Sequence, residues 1–269
     1  MATKLDMWEH VLPVGAGRHV TIKSDLAGSW GGTCGANLWA SSTSLVAWLS
    51  AEEQRQYRTL YEGRSVLELG AGLGLTGLAL DQMGARRVLL TDVAEQIPLL
   101  QHNVEANVPL RGSVSTAALR WGEALPPSCQ DSDYDLVVAT DVIYDEENVA
   151  PLASTLKQLS SPRGIKVLLA LPDRCEFGPE DPASPAEGAT TESVPCVPDY
   201  GRLFALLPWM QVQRIGRISS EEAGTCESEI HIFLLTAAES RDGHDRPRRT
   251  RERSAHASRR LRHCGESGE

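Results

Sequence analysis

The 269-residue sequence has no stretch of about 18 or more apolar residues, so a transmembrane helix is not predicted. The first ten residues contain acids and no apolar segment, and a secretory signal is not expected. The six cysteines are scattered, without a C-x-x-C pair or a His cluster, which argues against a metal site and for reduced thiols in a cytosolic or nuclear protein. Motifs of serine hydrolases, Walker-type triphosphatases and H-E-x-x-H metalloproteases are also missing. Nothing indicates oligomerisation, so a monomer is expected.

The net charge of −10 is unevenly distributed along the chain. Residues 239–269 hold nine Arg and six acids, which leaves 17 basic and 30 acidic residues in 1–238, a net charge of −13. Such an acidic body disfavours binding to a nucleic-acid backbone. It suits a basic protein surface or a lysine substrate, although solubility alone explains an acidic body at least as well.

Apolar runs alternate with helical patterns over residues 43–170, which predicts βα units on a parallel sheet. Two later strands should form an antiparallel pair that completes a Rossmann-like, mostly parallel α/β sheet of seven strands with helices on both faces. The predicted strands are 65–69, 87–91, 114–119, 134–139, 166–171, 212–218 and 229–237, and the helices are 44–61, 75–84, 94–107, 149–159 and 201–207.

Composition divides the chain into three regions. Residues 1–42 are expected to be an N-terminal extension that contributes to the site, and residues 43–238 to be the main domain. Within that domain, 172–198 is rich in Pro, Glu, Ser and Gly and is predicted to be an insertion loop. Residues 239–269 are predicted to be an Arg-rich disordered tail.

A glycine-rich turn follows the first strand of this domain and precedes a helix. Gly70, Ala71 and Gly72 let the backbone turn sharply and let a ligand approach the main chain. Asp92 lies 22 residues beyond Gly70, at the end of the next strand, where a carboxylate can accept hydrogen bonds from the two hydroxyls of a ribose. Together these features predict a nucleoside site.

The glycine spacing favours S-adenosylmethionine over a dinucleotide. A dinucleotide fingerprint, G-x-G-x-x-G, would need its third glycine at Leu75, whereas here it is Gly74, which gives G-x-G-x-G. Glu68 at the strand end would repel a pyrophosphate, but it can lie near the sulfonium or the methionine ammonium. A nicotinamide-dependent oxidoreductase is therefore disfavoured.

Four segments together resemble the seven-β-strand methyltransferases of family 16, which include the methyltransferase-like protein-lysine methyltransferases. They are LELGAGLGLTGL at 67–78, NLW at 37–39, NVEANV followed by LRWG at 103–108 and 119–122, and YDLVVATDVIY at 134–144. The resemblance implies that Trp39 belongs to the cofactor pocket and that Trp121 lies near the adenine. Thr140 stands where the family usually has Ala or Gly, and it adds a hydroxyl near the cofactor.

Asp141 and Tyr144 follow the fourth strand, at the sheet edge where open α/β folds bind ligands. Asp141 can attract and orient an incoming ammonium. Tyr144 can line the channel through which the ammonium enters and present its ring to the cation. These residues favour a charged amine as the acceptor, and the resemblance implies a protein-lysine N-methyltransferase that acts on a non-histone protein. The alternatives are a histidine or small-amine acceptor, or a non-catalytic module that binds S-adenosylmethionine.

Overall fold

A computed structural model describes residues 7–25, 34–130, 134–160, 164–173, 200–223 and 229–238. The predicted insertion loop, apart from Pro172 and Asp173, and the predicted tail lie outside these ranges. No helix in the described part of the chain is long and apolar enough to cross a membrane.

The described part alternates strands and helices through most of its length. The strands are β1 Trp8–Pro13, β2 His19–Ser24, β3 Ser65–Leu69, β4 Arg87–Asp92, β5 Ser113–Ala118, β6 Leu136–Thr140, β7 Lys166–Pro172, β8 Met210–Ile218 and β9 Ile230–Ala237. The helices are α1 Ala40–Ser50, α2 Leu75–Gln82, α3 Ile97–Ala106, α4 Pro127–Gln130, α5 Glu146–Ser160, α6 Tyr200–Ala205 and α7 Ser220–Ala223. Short 3-10 segments cover Cys34–Ala36 and Glu52–Leu60.

Among the described residues, seven strands form one sheet in the order β5-β4-β3-β6-β7-β9-β8. The first five of these strands in that order run parallel, and β9 pairs antiparallel with both β7 and β8. All five residues of β3 are buried, as expected for a central strand covered by helices on both faces. The predicted fold class is therefore confirmed, including the antiparallel closing pair.

The predicted helix over 44–61 is wrong in its extent. α1 ends at Ser50, Ala51 is extended (φ −67°, ψ 140°), and a 3-10 segment follows. The break brings the rings of Trp48 and Tyr57 to a centroid distance of 4.9 Å. In a continuous helix, nine residues would separate them by about 13.5 Å along the axis. Tertiary packing therefore prevails over the helical pattern.

A two-stranded ribbon, β1 with β2, precedes the main sheet and was not predicted from the sequence. Its β2 edge docks on α3 through two asparagines. The Asn103 side chain accepts a hydrogen bond from Lys23 N (2.9 Å) and donates to Lys23 O (3.1 Å). Asn107 accepts from Thr21 N (2.8 Å) and donates to Thr21 O (2.7 Å). The two amides thus satisfy backbone groups that a neighbouring strand would otherwise bind.

Asn103 also donates to Leu73 O (3.0 Å), so it ties the ribbon to the glycine turn. We expect Asn103→Leu to lower the free energy of unfolding by about 2–4 kcal/mol, because the buried partners of the amide lose their hydrogen bonds. Urea denaturation measures the change. Gln101→Leu, at an exposed position of the same helix, is the control and should change stability by less than about 0.5 kcal/mol. Equal stability of the two variants would contradict this role of Asn103.

Candidate functional site

The site lies where the strand order reverses, at the carboxyl ends of β3, β4 and β6. The glycine turn follows β3, Asp92 ends β4, and Asp141 follows β6. Because β3 pairs with β4 on one side and with β6 on the other, residues far apart in the chain meet at one edge of the sheet.

The backbone of the turn requires glycine at two of the predicted positions. Gly70 (φ 62°) and Gly72 (φ 54°) are both in the left-handed region. A Cβ on Gly70 would lie 2.9 Å from the Trp121 ring, and one on Gly72 would lie 3.2 Å from Gly35 O. Both glycines therefore also permit close contacts with distant parts of the chain.

Asp92 joins the turn to the next strand. One carboxylate oxygen accepts a hydrogen bond from Gly72 N (2.7 Å), and the other accepts from Val93 N (2.7 Å). Burial raises the pKa of Asp92, and these two N–H groups oppose that shift by stabilising the charged form. The carboxylate is thus positioned by the backbone while it lines the adjacent cavity.

A cavity of about 540 Å³ opens beside the turn, a size that accommodates a small-molecule ligand. Nine of the ten predicted site residues line it: Trp39, Gly70, Ala71, Gly72, Asp92, Trp121, Thr140, Asp141 and Tyr144. Further lining residues, to which the sequence analysis assigned no role in the site, are Cys34, Gly35, Asn37, Leu38, Ser42, Leu73, Leu75, Val93, Leu119, Arg120, Val142, Asn148 and Pro151.

Glu68 is the predicted residue that does not line the cavity, and its expected contact with the cofactor needs correction. Its side chain points under α2, where the carboxylate accepts a hydrogen bond from Gly77 N (2.8 Å). The residue is 1% exposed, and burial raises the pKa of Glu68 to about 8. Glu68 therefore supports the start of α2 beneath the glycine turn.

Asp141 has a backbone conformation that is uncommon outside glycine, with φ at 55°. Its N–H donates to Ala170 O of β7 (3.0 Å), which fixes the residue just beyond β6. Aspartate tolerates this region better than branched or bulky residues do, and such strained positions cluster at functional sites. The conformation places Asp141 in the cavity wall.

Tyr144 lies at the mouth of the cavity and is 52% exposed. Partial burial, then a contact with Cys34, raises the pKa of Tyr144 to about 12, with smaller effects from Asp92 and Asp145. The phenol is therefore neutral at physiological pH. Together, Asp141 and Tyr144 present a carboxylate and an aromatic ring to whatever enters the mouth.

One segment, residues 34–39, contributes four of the thirteen lining residues that sequence reasoning missed, and we call it the N-terminal wall. Four of its members besides Trp39 line the cavity: Cys34, Gly35, Asn37 and Leu38. Trp39 Nε1 donates to Cys34 O (2.9 Å), which folds the segment on itself. Its residues have no motif spacing, and only the resemblance at NLW pointed to this part of the chain.

Burial of the Glu68 carboxyl predicts how the stability of the protein depends on pH. The pKa of Glu68 in the folded protein is about 8, above the ordinary value of 4.5. The contribution of Glu68 to stability is therefore fully present below pH 4.5 and is lost as the pH rises through 8. We expect Glu68→Gln, which keeps an acceptor for Gly77 N, to lose less stability between pH 5 and 8 than the wild type. Chemical denaturation across this range measures the difference. Glu62→Gln, at an exposed position, is the control, and a wild-type slope in Glu68→Gln would contradict the prediction.

Comparison with known proteins places this architecture in a family. A family model described as lysine methyltransferase matches residues 19–180, more than half of the chain. EEF1A lysine methyltransferase 3 of Mus musculus is 33% identical over 145 residues, which cover 54% of this chain and 59% of that protein. Protein N-lysine methyltransferase METTL21A of Xenopus tropicalis is 34% identical over 135 residues, which cover 49% and 59%.

The chain thus matches about 59% of the length of these curated relatives. Among solved structures, one neighbour is magnesium protoporphyrin IX methyltransferase (ChlM) from Synechocystis PCC 6803 with bound SAH. The alignment with it covers 74% of this chain and 82% of the ChlM chain. That alignment has a TM-score of 0.48 and 17% identity. On the strength of the family match over residues 19–180, this chain belongs to the lysine methyltransferase family.

Proposed function

We propose that this protein is an S-adenosylmethionine-dependent methyltransferase that acts on a lysine of a non-histone protein. The observation that carries the proposal is the convergence of the glycine turn, Asp92 and Asp141 on one cavity. A carboxylate for a ribose and a second carboxylate for an amine are thereby held at one site by the backbone. The names of the relatives, which specify lysine methylation, support the same acceptor.

The cofactor half of the cavity fits an adenosyl group. Gly70, Ala71 and Gly72 expose backbone that a ligand can approach closely, and Asp92 can accept hydrogen bonds from ribose hydroxyls. The Trp121 ring packs against Gly70 beside this backbone, where it can cover the flat face of an adenine. Thr140 and Trp39 line the remaining wall. When bound, S-adenosylmethionine supplies an electrophilic methyl group on its sulfonium.

The acceptor half must handle a positively charged amine. A lysine ammonium has an ordinary pKa of about 10.4, and it must lose a proton before it can act as a nucleophile. Asp141 attracts and orients the ammonium at the cavity wall, and it can pass the proton to water. The ring of Tyr144 lines the channel for the acceptor amine and faces the cation. Position and orientation then provide most of the rate, as is usual for a direct displacement.

The organisation of the chain follows from this site. We propose that residues 43–238 form the methyltransferase domain and that residues 1–42 contribute to its cavity through the N-terminal wall. The described cysteines Cys34 and Cys129 are free thiols, which suits a reducing cytoplasmic or nuclear compartment. The acidic body disfavours nucleic acid as a partner, and we propose that the protein acts as a monomer.

Asp92→Ala should weaken S-adenosylmethionine binding about 100-fold, because the variant lacks the charged group that accepts hydrogen bonds from the two ribose hydroxyls. Isothermal titration calorimetry measures the dissociation constant. Glu95→Ala, an exposed acid three residues further on, is the matched control and should keep wild-type affinity. Thermal unfolding of the ligand-free variant verifies the fold. An unchanged dissociation constant in folded Asp92→Ala would remove the ribose assignment.

Asp141→Asn should keep S-adenosylmethionine binding and lose methyl transfer by about 100-fold or more, since asparagine tolerates the same backbone conformation but carries no charge. The assay uses cofactor tritiated at the methyl group with a cell extract, followed by hydrolysis and chromatography of the amino acids. Wild type should yield labelled methyllysine. Asp145→Asn, an exposed acid nearby, should retain activity.

The same assay separates the alternative functions. Label in methylhistidine or in a small amine would replace the lysine acceptor. Tight cofactor binding with no labelled product in any extract would favour the non-catalytic module. Full activity of Asp141→Asn would show that this carboxylate does not handle the acceptor amine.

A further inference from the structure

Gln96 lies outside the residues to which the proposed reaction assigns a role, yet it connects two walls of the cavity. It immediately precedes α3, and it is 3% exposed. Its side-chain nitrogen donates to Gly35 O (3.0 Å) and to Gly72 O (3.1 Å). One amide therefore bridges the N-terminal wall and the glycine turn, two segments that are 37 positions apart in the sequence.

The two bridged backbones also lie close together. A Cβ on Gly72 would lie 3.2 Å from Gly35 O, and a Cβ on Gly35 would lie 3.1 Å from both Cδ and Oε1 of Gln96. Glycine at both positions permits this approach, and the Gln96 amide then satisfies the two carbonyls that it brings together.

Other contacts also attach the N-terminal wall to the body of the protein, among them the burial of Ala36 in the hydrophobic core and the packing of Leu38 against that core. The N–H of Asp25, after β2, donates to Ala36 O (3.2 Å), and the Cys34 side chain contacts Tyr144 at the cavity mouth. The attachment at Gln96 joins the wall directly to the glycine turn, which lines the same cavity as Asp92.

We infer that Gln96 is a positioning residue that holds the N-terminal wall against the glycine turn and so shapes the cavity for the adenosyl group. The inference rests on the proposed function for the identity of that ligand. The bridge itself can be tested without any ligand, because it predicts how tightly the wall is held.

The first measurement is hydrogen–deuterium exchange by mass spectrometry, without cofactor, on the peptide that covers residues 34–39. Gln96→Met keeps the length of the side chain but cannot donate to a carbonyl. The wall of this variant should exchange about tenfold faster than that of the wild type, since the two bridging hydrogen bonds are lost. Gln101→Met, on the exposed face of α3, is the control and should leave exchange at 34–39 unchanged.

The second measurement is calorimetric titration with S-adenosylmethionine. Gln96→Met should bind about tenfold more weakly, which corresponds to about 1.4 kcal/mol. Extract labelling at saturating cofactor should remain within about twofold of the wild type, because the acceptor residues are untouched. A general loss of structure would lower both the cofactor affinity and the labelling at saturating cofactor. A loss of affinity alone therefore distinguishes positioning from destabilisation.

Gly35→Ala tests the bridge from the other side. The φ of Gly35 is outside the left-handed region, so alanine strains no backbone there, but its methyl group meets the Gln96 amide. We expect faster wall exchange and weaker cofactor binding in this variant as well. The double variant should show less than the sum of the two effects, because both changes break one interaction.

Unchanged exchange at 34–39 in folded Gln96→Met would overturn the bridge. Faster exchange with unchanged cofactor affinity would overturn its role in shaping the cavity. If the wild type itself does not bind S-adenosylmethionine, the proposed function fails, while the exchange experiment still decides whether Gln96 holds the wall.

Discussion

The hydrogen bond from Gly72 N to the Asp92 carboxylate is the contact on which the rest of the site depends. It joins the end of β4 to the turn after β3, and it holds a carboxylate at the sheet edge at the cost of desolvation, which raises the pKa of Asp92. Because Gly72 is in the left-handed region, its N–H can point at this carboxylate while its carbonyl faces Gln96. One residue thus links two neighbouring strands and the N-terminal wall.

Buried polar side chains organise the structure around this contact. Glu68 binds the backbone of α2 beneath the turn, and Asn103 ties β2 to Leu73. Each is almost fully buried and satisfies main-chain groups that no strand or helix partner reaches. The cavity is therefore shaped by a shell of side-chain to backbone hydrogen bonds, which is a rigid support for a ligand site.

Much of the architecture could be predicted from the sequence because the signals are local. The buried run of β3, the glycines after it and the spacing to Asp92 lie within 30 residues of one another, and parallel βα units allow few arrangements of such elements. The single predicted helix over 44–61 was wrong because Tyr57 packs back on Trp48, a tertiary contact that a helical pattern does not reveal. The β1–β2 ribbon was missed because the side chains of Asn103 and Asn107 hold the edge of β2, and a local pattern does not reveal these tertiary contacts either.

The amino-acid sequence by itself determined the sheet, the glycine turn and the acids at the strand ends, since chain order and burial pattern constrain these locally. Only the tertiary structure decided which face of β3 carries Glu68, and it turned that carboxylate toward α2 instead of the cavity. Tertiary structure also decided that residues 34–39 form a wall and that Gln96 bridges it to Gly72. Such contacts join residues tens of positions apart, and their geometry exists only after the strands have paired and the helices have packed.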